Sequence, residues 1–159
     1  MNPIALEFVN DIISTEAPSG NKDCVTKYAV EKYELTKDRS VYYCDAFAVR
    51  FSYSRNNSFS NTVASLSRLK KYDRIPFFAV LVKREGPNLI YLSNSTFIDK
   101  ISHSSRELTI DRIRGSFNGS NILKKYDSLD NVPKNFEELF ATHSGMEWLD
   151  NLERLVDAS

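Results

Sequence analysis

One apolar run, PFFAVLV from Pro76 to Val82, constrains the fold of this chain more than any other feature. Its length and its aromatic and β-branched residues are typical of a buried β-strand. The segment GPN at 86–88 favours a turn, and LIYLS follows it as an apolar stretch suited to an antiparallel partner. The sequence therefore predicts a hairpin over 77–92 that contains a buried strand.

Helical spacing of apolar residues predicts two helices near the N-terminus. Asn2 is suited to cap a helix with Pro3 at its first position, and this helix should end near Thr15. Asp23 is the expected cap of a second helix that extends to Tyr33. The aromatic and β-branched residues of this second segment also suit a strand, so both alternatives stay open.

Residues 40–54, SVYYCDAFAVRFSYS, change to a β pattern, as one long bent strand or as two. Asp45 falls among the apolar positions of this pattern, where a buried acid is costly unless it is paired or hydrogen-bonded.

A helix with an apolar stripe is predicted over 59–72, and it places Arg68 and Lys71 together on its outer side.

The C-terminal half adds further mixed elements. Asn94 is suited to cap a short helix, and ELTIDRI at 107–113 alternates like a strand. Two capping boxes, the first pairing Asn135 with Glu138, open helices over 136–142 and 145–157. This order predicts an α+β fold in a single domain, 1–159, with a helix-flanked, mostly antiparallel mixed sheet.

Charge is distributed unevenly although the net charge is zero. Residues 50–84 contain eight Lys or Arg residues and one acid, and residues 100–125 contain six and two. The flanking segments are acidic, with two basic and eight acidic residues in 126–159. Two basic blocks inside an acidic frame favour a surface that faces a polyanion.

Several kinds of chemistry find no support in the sequence. The two histidines, His103 and His143, stand forty residues apart, and the chain has no CxxC, GxSxG or Walker-type motif.

The first residues contain acids and no basic segment before an apolar block, which argues against a secretory signal. The apolar runs are too short for a membrane span. We expect a cytoplasmic protein without a membrane partner, whose cysteines, Cys24 and Cys44, are buried reduced thiols.

Three polar segments, predicted to be loops at the ends of strands or helices, suggest a nucleic-acid surface: SYSRNNS (52–58), KISHSSR (100–106) and RIRGSFNGSN (112–121). Arg and Asn can bind base edges through two hydrogen bonds, while Ser and Lys contact phosphate oxygens. The candidate DNA-binding residues are Arg50, Ser54, Arg55, Asn56, Asn57, Ser58, Asn61, Arg68, Lys70, Lys71, Arg74, His103, Arg112, Arg114, Ser116, Asn118, Ser120 and Asn121.

A family resemblance agrees with this interpretation. The run SYSRNNSFSNTVASLSRLKKYDRIPFFAVLV, continued by STFIDKISHSS, IRGSFNGSN and NFEELFATH, resembles the N-terminal region of bacterial type II restriction endonucleases of the HaeII-like kind. The resemblance covers roughly residues 40–157. It implies double-stranded DNA as the ligand, a target-recognition role for this domain, and further domains after it that carry the cleavage. No cofactor is then expected within this domain.

Two alternatives remain at this point. In the first, the domain is itself a Mg²⁺-dependent endonuclease, with Asp45 as a metal ligand and catalytic residue. The strand over 77–82 does not supply the acid–x–lysine pattern that such an enzyme needs, since it continues as Val82, Lys83, Arg84 and Glu85. In the second, the domain is a protein-interaction module that docks a partner through its terminal acidic helix.

Overall fold

The computed structural model of the chain describes residues 1–55, 62–94, 107–108, 113–114, 116–118 and 128–144. Its main strands are β1 (Thr36–Asp38), β2 (Val41–Tyr43), β3 (Ala48–Ser54), β5 (Phe77–Lys83) and β6 (Leu89–Leu92). Two shorter pairs join β4 (Thr62–Ser65) to β9 (Ser116–Asn118), and β7 (Glu107–Leu108) to β8 (Ile113–Arg114).

The main sheet has the order β1-β2-β3-β5-β6. All its neighbours pair antiparallel except β3 and β5, which run parallel from Ala48 opposite Phe77 to Ser54 opposite Lys83. The connection between these two strands contains β4 and one short helix. The hairpin of β5 and β6 is confirmed, and Gly86 in its turn has a φ of +84°, which glycine adopts without strain.

The helices are α1 (Pro3–Ile12), α2 (Lys22–Tyr33), α3 (Leu66–Lys71) and α4 (Phe136–Ser144), with a 3₁₀ turn over Pro133–Asn135 before α4. The cap predicted for α1 is confirmed, because the Oδ1 atom of Asn2 accepts a hydrogen bond from the Ile4 amide at 2.9 Å. The cap predicted for α2 is wrong. Asn21, two residues before Asp23, accepts from the Cys24 amide at 3.1 Å and so begins the helix earlier.

One face of the main sheet packs against α1, α2 and α4, and the core lies between them. Aromatic rings dominate it: Phe8 stacks on Phe47 with 4.3 Å between ring centroids, and Phe78 lies 5.8 Å from Phe136. Burial of such rings contributes most of the free energy that holds helices to the sheet. We call this side of the sheet the helical face.

The opposite face carries Tyr72, which directly follows α3. Its ring lies 5.4 Å from that of Tyr43 on β2 and 6.1 Å from that of Phe77 on β5. Both Phe77 and Leu69 of α3 are buried. Strand β5 is therefore covered on both faces, as its continuous apolar sequence requires.

The α+β class and the mostly antiparallel, helix-flanked sheet are confirmed. Residues 40–54 form two strands, because the chain bends over 44–47.

Cys24 is exposed and Cys44 is partly exposed, so the expectation of buried thiols is wrong. In the described part of the chain no helix combines the length and apolarity needed to cross a membrane.

Three other predictions need correction. The helix predicted over 59–72 begins only at Leu66, because residues 62–65 form β4 and pair with β9. The single strand predicted over 107–113 is wrong, since its two described ends, Leu108 and Ile113, pair antiparallel with each other. The segment RGSFNGSN (114–121) is not a loop throughout, because 116–118 is a strand.

Two predicted caps serve other roles. Asn94 accepts a hydrogen bond from the Phe77 amide at 3.2 Å and donates one to the Ile75 carbonyl at 2.7 Å, which secures the start of β5. Asn135 lies in the 3₁₀ turn and donates to the carbonyl of Asp130 at 2.9 Å. The helix predicted over 136–142 is confirmed as part of α4. The helix over 145–157 and the one expected after Asn94 lie outside the described residues.

Candidate nucleic-acid interface

Strand β3 is apolar on the helical face, and beyond the buried Ala48 it is polar on the opposite face, where Tyr72 lies against Phe77. Val49 and Phe51 belong to the core on the helical face, and the alternation of a strand turns Arg50, Ser52 and Ser54 the other way. Lys83 lies opposite Ser54 in the parallel pair and points to the same side. We call the side that carries Arg50, Ser52, Ser54 and Lys83 the polar face.

Arg50 is half-buried on this polar face. Burial lowers the pKa of its guanidinium group, because removal from water disfavours the charged form. No carboxylate neutralises it within the described part of the chain. A buried cation is costly unless an anion pairs with it, so a bound anion would stabilise Arg50.

The carboxyl ends of β3 and β5 lie side by side because the two strands are parallel. This pairing brings Arg55, which follows Ser54, close to Lys83 and Arg84. Arg55 and Arg84 are exposed, and among the described residues none of the three cations has an ion-pair partner. Glu85 is the one acidic residue next to them along the chain. We call Arg55, Lys83 and Arg84 the basic end of the sheet.

Sequence reasoning missed Lys83 and Arg84. Both belong to the basic block of residues 50–84, so the charge count contained them. What was missing was the parallel register of β3 with β5, which joins residues about thirty positions apart.

Arg68 and Lys71 lie elsewhere and are not free. The Arg68 Nη1 and Lys71 Nζ atoms are each 2.6 Å from Oδ2 of Asp38, and the Tyr72 hydroxyl donates to the same oxygen at 2.5 Å. The hydrogen bonds from Lys71 and Tyr72, with the charge of Arg68, hold the pKa of Asp38 at about 2. The prediction that Arg68 lies on the outer side of its helix is wrong, since its side chain is only 18% exposed.

The other described basic residues of the block 50–84 are Lys70 and Arg74, and they lie outside the basic end of the sheet. Lys70 is exposed at the C-terminal part of α3, and Arg74 is exposed before the start of β5. Asp73 between them bonds the buried His143, with 2.6 Å from its Oδ1 atom to Nε2 of the histidine. Because β5 has seven residues, Arg74 is separated from the basic end by roughly 20 Å.

Asp45, the candidate metal ligand, is exposed in the bend between β2 and β3. The expectation that it occupies an apolar position is therefore wrong. It precedes β3, whereas Arg55 follows that strand, so the two residues lie at opposite ends of it. Within the described ranges, no three His, Cys, Asp or Glu side chains are grouped closely enough to hold a metal ion.

The other candidates divide into two sets. Arg114 ends β8, which lies against α3, while Ser116 and Asn118 belong to β9 beside β4. The rest lie outside the described residues; they are Asn56, Asn57, Ser58, Asn61, His103, Arg112, Ser120 and Asn121. The acidic terminal helix of the interaction-module alternative also lies outside them.

Comparison of the chain with protein-family models, with curated proteins and with solved structures gave no match.

Proposed function

We propose that this chain is a double-stranded DNA-binding domain, of the target-recognition kind that restriction endonucleases use. The sequence resemblance to the N-terminal region of HaeII-like enzymes supports this class, and so does the concentration of basic residues in 50–84 and 100–125. Cleavage would then belong to another part of the same enzyme. We place the protein in the cytoplasm, where such an enzyme meets DNA.

The observation that carries the proposal is the uncompensated charge of the basic end and of Arg50. The parallel register places Arg55, Lys83 and Arg84 at the same end of the sheet, and none of them has an acidic partner among the described residues. Arg50 adds a half-buried cation on the polar face of the same strand. Phosphate groups supply the negative charge that such a surface lacks, and their contacts dominate the affinity of proteins for DNA.

Phosphate contacts position a protein on DNA, and base contacts give it specificity. In this proposal Arg50, Arg55, Lys83 and Arg84 contact phosphates. Arg114 and Asn118 are the candidates for base edges, because an arginine pairs with guanine and an asparagine with adenine through two hydrogen bonds each. Both belong to strands in the part of the chain that adjoins α3 and β4.

Fluorescence anisotropy with a randomised duplex pool tests the proposal. The parent chain should bind at low salt, and its affinity should fall steeply at moderate salt because counterions are released from the DNA. Arg114→Ala and Asn118→Ala should reduce discrimination among duplexes selected from the pool. Absence of binding at low salt, or an affinity that does not respond to salt, would contradict the proposal.

A further inference from the structure

Three donors converge on a single carboxylate oxygen at the edge of the sheet. The guanidinium of Arg68, the ammonium of Lys71 and the phenol of Tyr72 all lie within 2.6 Å of Oδ2 of Asp38. Two cations thus face one anion, so the cluster keeps an excess positive charge. Arginine, lysine and a hydroxyl group are also the side chains that proteins use to bind a phosphate oxygen.

Asp38 reaches this cluster from an edge strand whose own side chains are exposed or half-buried. It ends β1, an edge strand of three residues whose neighbours in the described structure are limited to β2. Arg39 and Ser40 at the turn are exposed, and Arg39 has a φ of +55°. A short edge strand with few buried side chains separates from its sheet at a lower free-energy cost than a central strand.

A second carboxylate in the same protein provides the contrast. Asp11 of α1 accepts hydrogen bonds from Tyr28 at 2.9 Å, from Tyr33 at 2.8 Å and from Lys32 at 3.0 Å, all on α2. The Tyr33 ring packs edge-on against Phe8 in the core, 5.3 Å away. Asp11 therefore ties two long helices to each other, whereas Asp38 ties a hairpin tip to a short helix.

The Asp38 cluster lies on the polar face near Arg50. Asp38 pairs with Val41 across β1 and β2. In the antiparallel pair of β2 and β3, Tyr42 lies opposite Val49, so the preceding residue, Val41, lies opposite Arg50. Two strand spacings separate Asp38 from Arg50, roughly 10 Å. The donors that Asp38 occupies thus share one surface with Arg50, which has no acidic partner among the described residues.

We propose that Arg68, Lys71 and Tyr72 form a phosphate-binding subsite and that Asp38 occupies it as a built-in competitor until a phosphate of DNA displaces it. The inference rests on the proposed DNA-binding function and adds a regulatory contact to it. Asp38 then limits non-specific binding, because a phosphate must first compete with a carboxylate that is already in place. Displacement would move the tip of the β1–β2 hairpin away from α3.

The test compares Asp38→Ala and Asp38→Asn with the parent chain. Duplex affinity, measured by anisotropy, should rise by roughly tenfold at 0.1 M salt, and the slope of log K against log salt should steepen by about 0.9 for each released cation. Asp11→Ala is the matched control, because it removes a carboxylate with similar donors from the other side of the sheet. It should leave the affinity and the slope unchanged.

A second measurement separates the inference from the proposed function. Pyrophosphate should raise the melting temperature of Asp38→Ala in a concentration-dependent way, and by more than that of Asp11→Ala or of the parent. Suppose that the parent binds duplex and that circular dichroism shows both Asp38 variants to be folded. If the variants then bind duplex no more tightly than the parent, Asp38 has only a structural role and the inference fails. If no variant binds duplex but pyrophosphate stabilises Asp38→Ala, the subsite stands and the DNA-binding function fails. If pyrophosphate has no such selective effect, the subsite itself is excluded.

Discussion

Ser54 lies directly opposite Lys83 in the parallel pair of β3 and β5. This register places the end of one basic segment beside the end of another, although the sequence separates them by the whole connection through β4 and α3. Arg55 and Arg84 follow the two paired residues, so the cations collect at one end of the sheet. The proposed DNA-binding surface depends on this relationship.

Replacement of Arg50 by Met should separate stability from function. The methionine removes a half-buried charge that has no acidic partner in the described structure, so we expect stability to rise by roughly 0.5–1 kcal/mol while duplex binding weakens. Thermal unfolding and anisotropy measure the two effects. Lys22→Met, at an exposed position on α2, is the control for general loss of charge. A variant that loses stability would show that Arg50 has a structural role.

Asn88 should be a strong determinant of stability. It is buried in the turn before β6, and its Nδ2 atom donates to the carbonyls of Ile12 at 2.9 Å and Pro18 at 2.8 Å. Asn88→Ala leaves both carbonyls without this donor, and we expect a loss of about 2 kcal/mol in urea unfolding. Asn10→Ala, at an exposed position of α1, should change stability by less than about 0.5 kcal/mol. Equal effects of the two substitutions would contradict this role.

Asn131 should protect the outer edge of the sheet. The Ser93 amide bonds the Phe77 carbonyl at 2.7 Å, so by alternation the backbone groups of Leu92 point away from β5. Asn131 binds both of them, at 3.0 Å through Oδ1 and 3.1 Å through Nδ2.

We therefore expect Asn131→Ala to lower the free energy of unfolding by about 1–3 kcal/mol. Asn131→Asp should cost more, because a carboxylate oxygen then faces the Leu92 carbonyl. Urea unfolding of both variants measures this order, and an aspartate variant as stable as the parent would contradict it.

Acid should weaken the protein through Asp11 and Asp38. Burial alone would raise the pKa of Asp11, but the hydrogen bonds from Lys32, Tyr33 and Tyr28 together lower it, and the pKa of Asp38 falls to about 2. Both folded-state values lie below the ordinary value of 3.8. Their stabilisation is thus complete above pH 3.8 and is lost as pH falls through the folded-state pKa.

Unfolding curves between pH 5 and pH 2 measure this effect. The stability of Asp11→Asn and of Asp38→Asn should depend less steeply on pH than that of the parent, since each variant lacks one of the titrating groups. Slopes equal to that of the parent would show that neither carboxylate is stabilised by its hydrogen bonds.

Elements with local signals were predictable from the sequence. Helix α1 has its cap at Asn2 and its proline at the first position, and the β5–β6 hairpin has its turn residues between two apolar strands. The start of α2 was misplaced by two residues, because Asn21 and Asp23 are both good caps and the sequence does not rank them.

Elements with distant partners were not predictable. Residues 62–65 have spacing that suits a helix, but their strand pairs with Ser116–Asn118, more than fifty positions away. The same limit applies to the candidate site. The basic block was visible as a charge count, whereas the pairing of Arg68 and Lys71 with Asp38 required the fold, since thirty positions separate Asp38 from Arg68.

The salt dependence of duplex binding by Lys83→Ala/Arg84→Ala tests the central claim most directly. We expect the double variant to bind more weakly than the parent, with a slope of log K against log salt that is shallower by close to 2, about 0.9 for each lost phosphate contact. Lys22→Ala, on α2, should match the parent in both affinity and slope. If the double variant keeps the affinity and the slope of the parent, the carboxyl ends of β3 and β5 are not the DNA-binding surface.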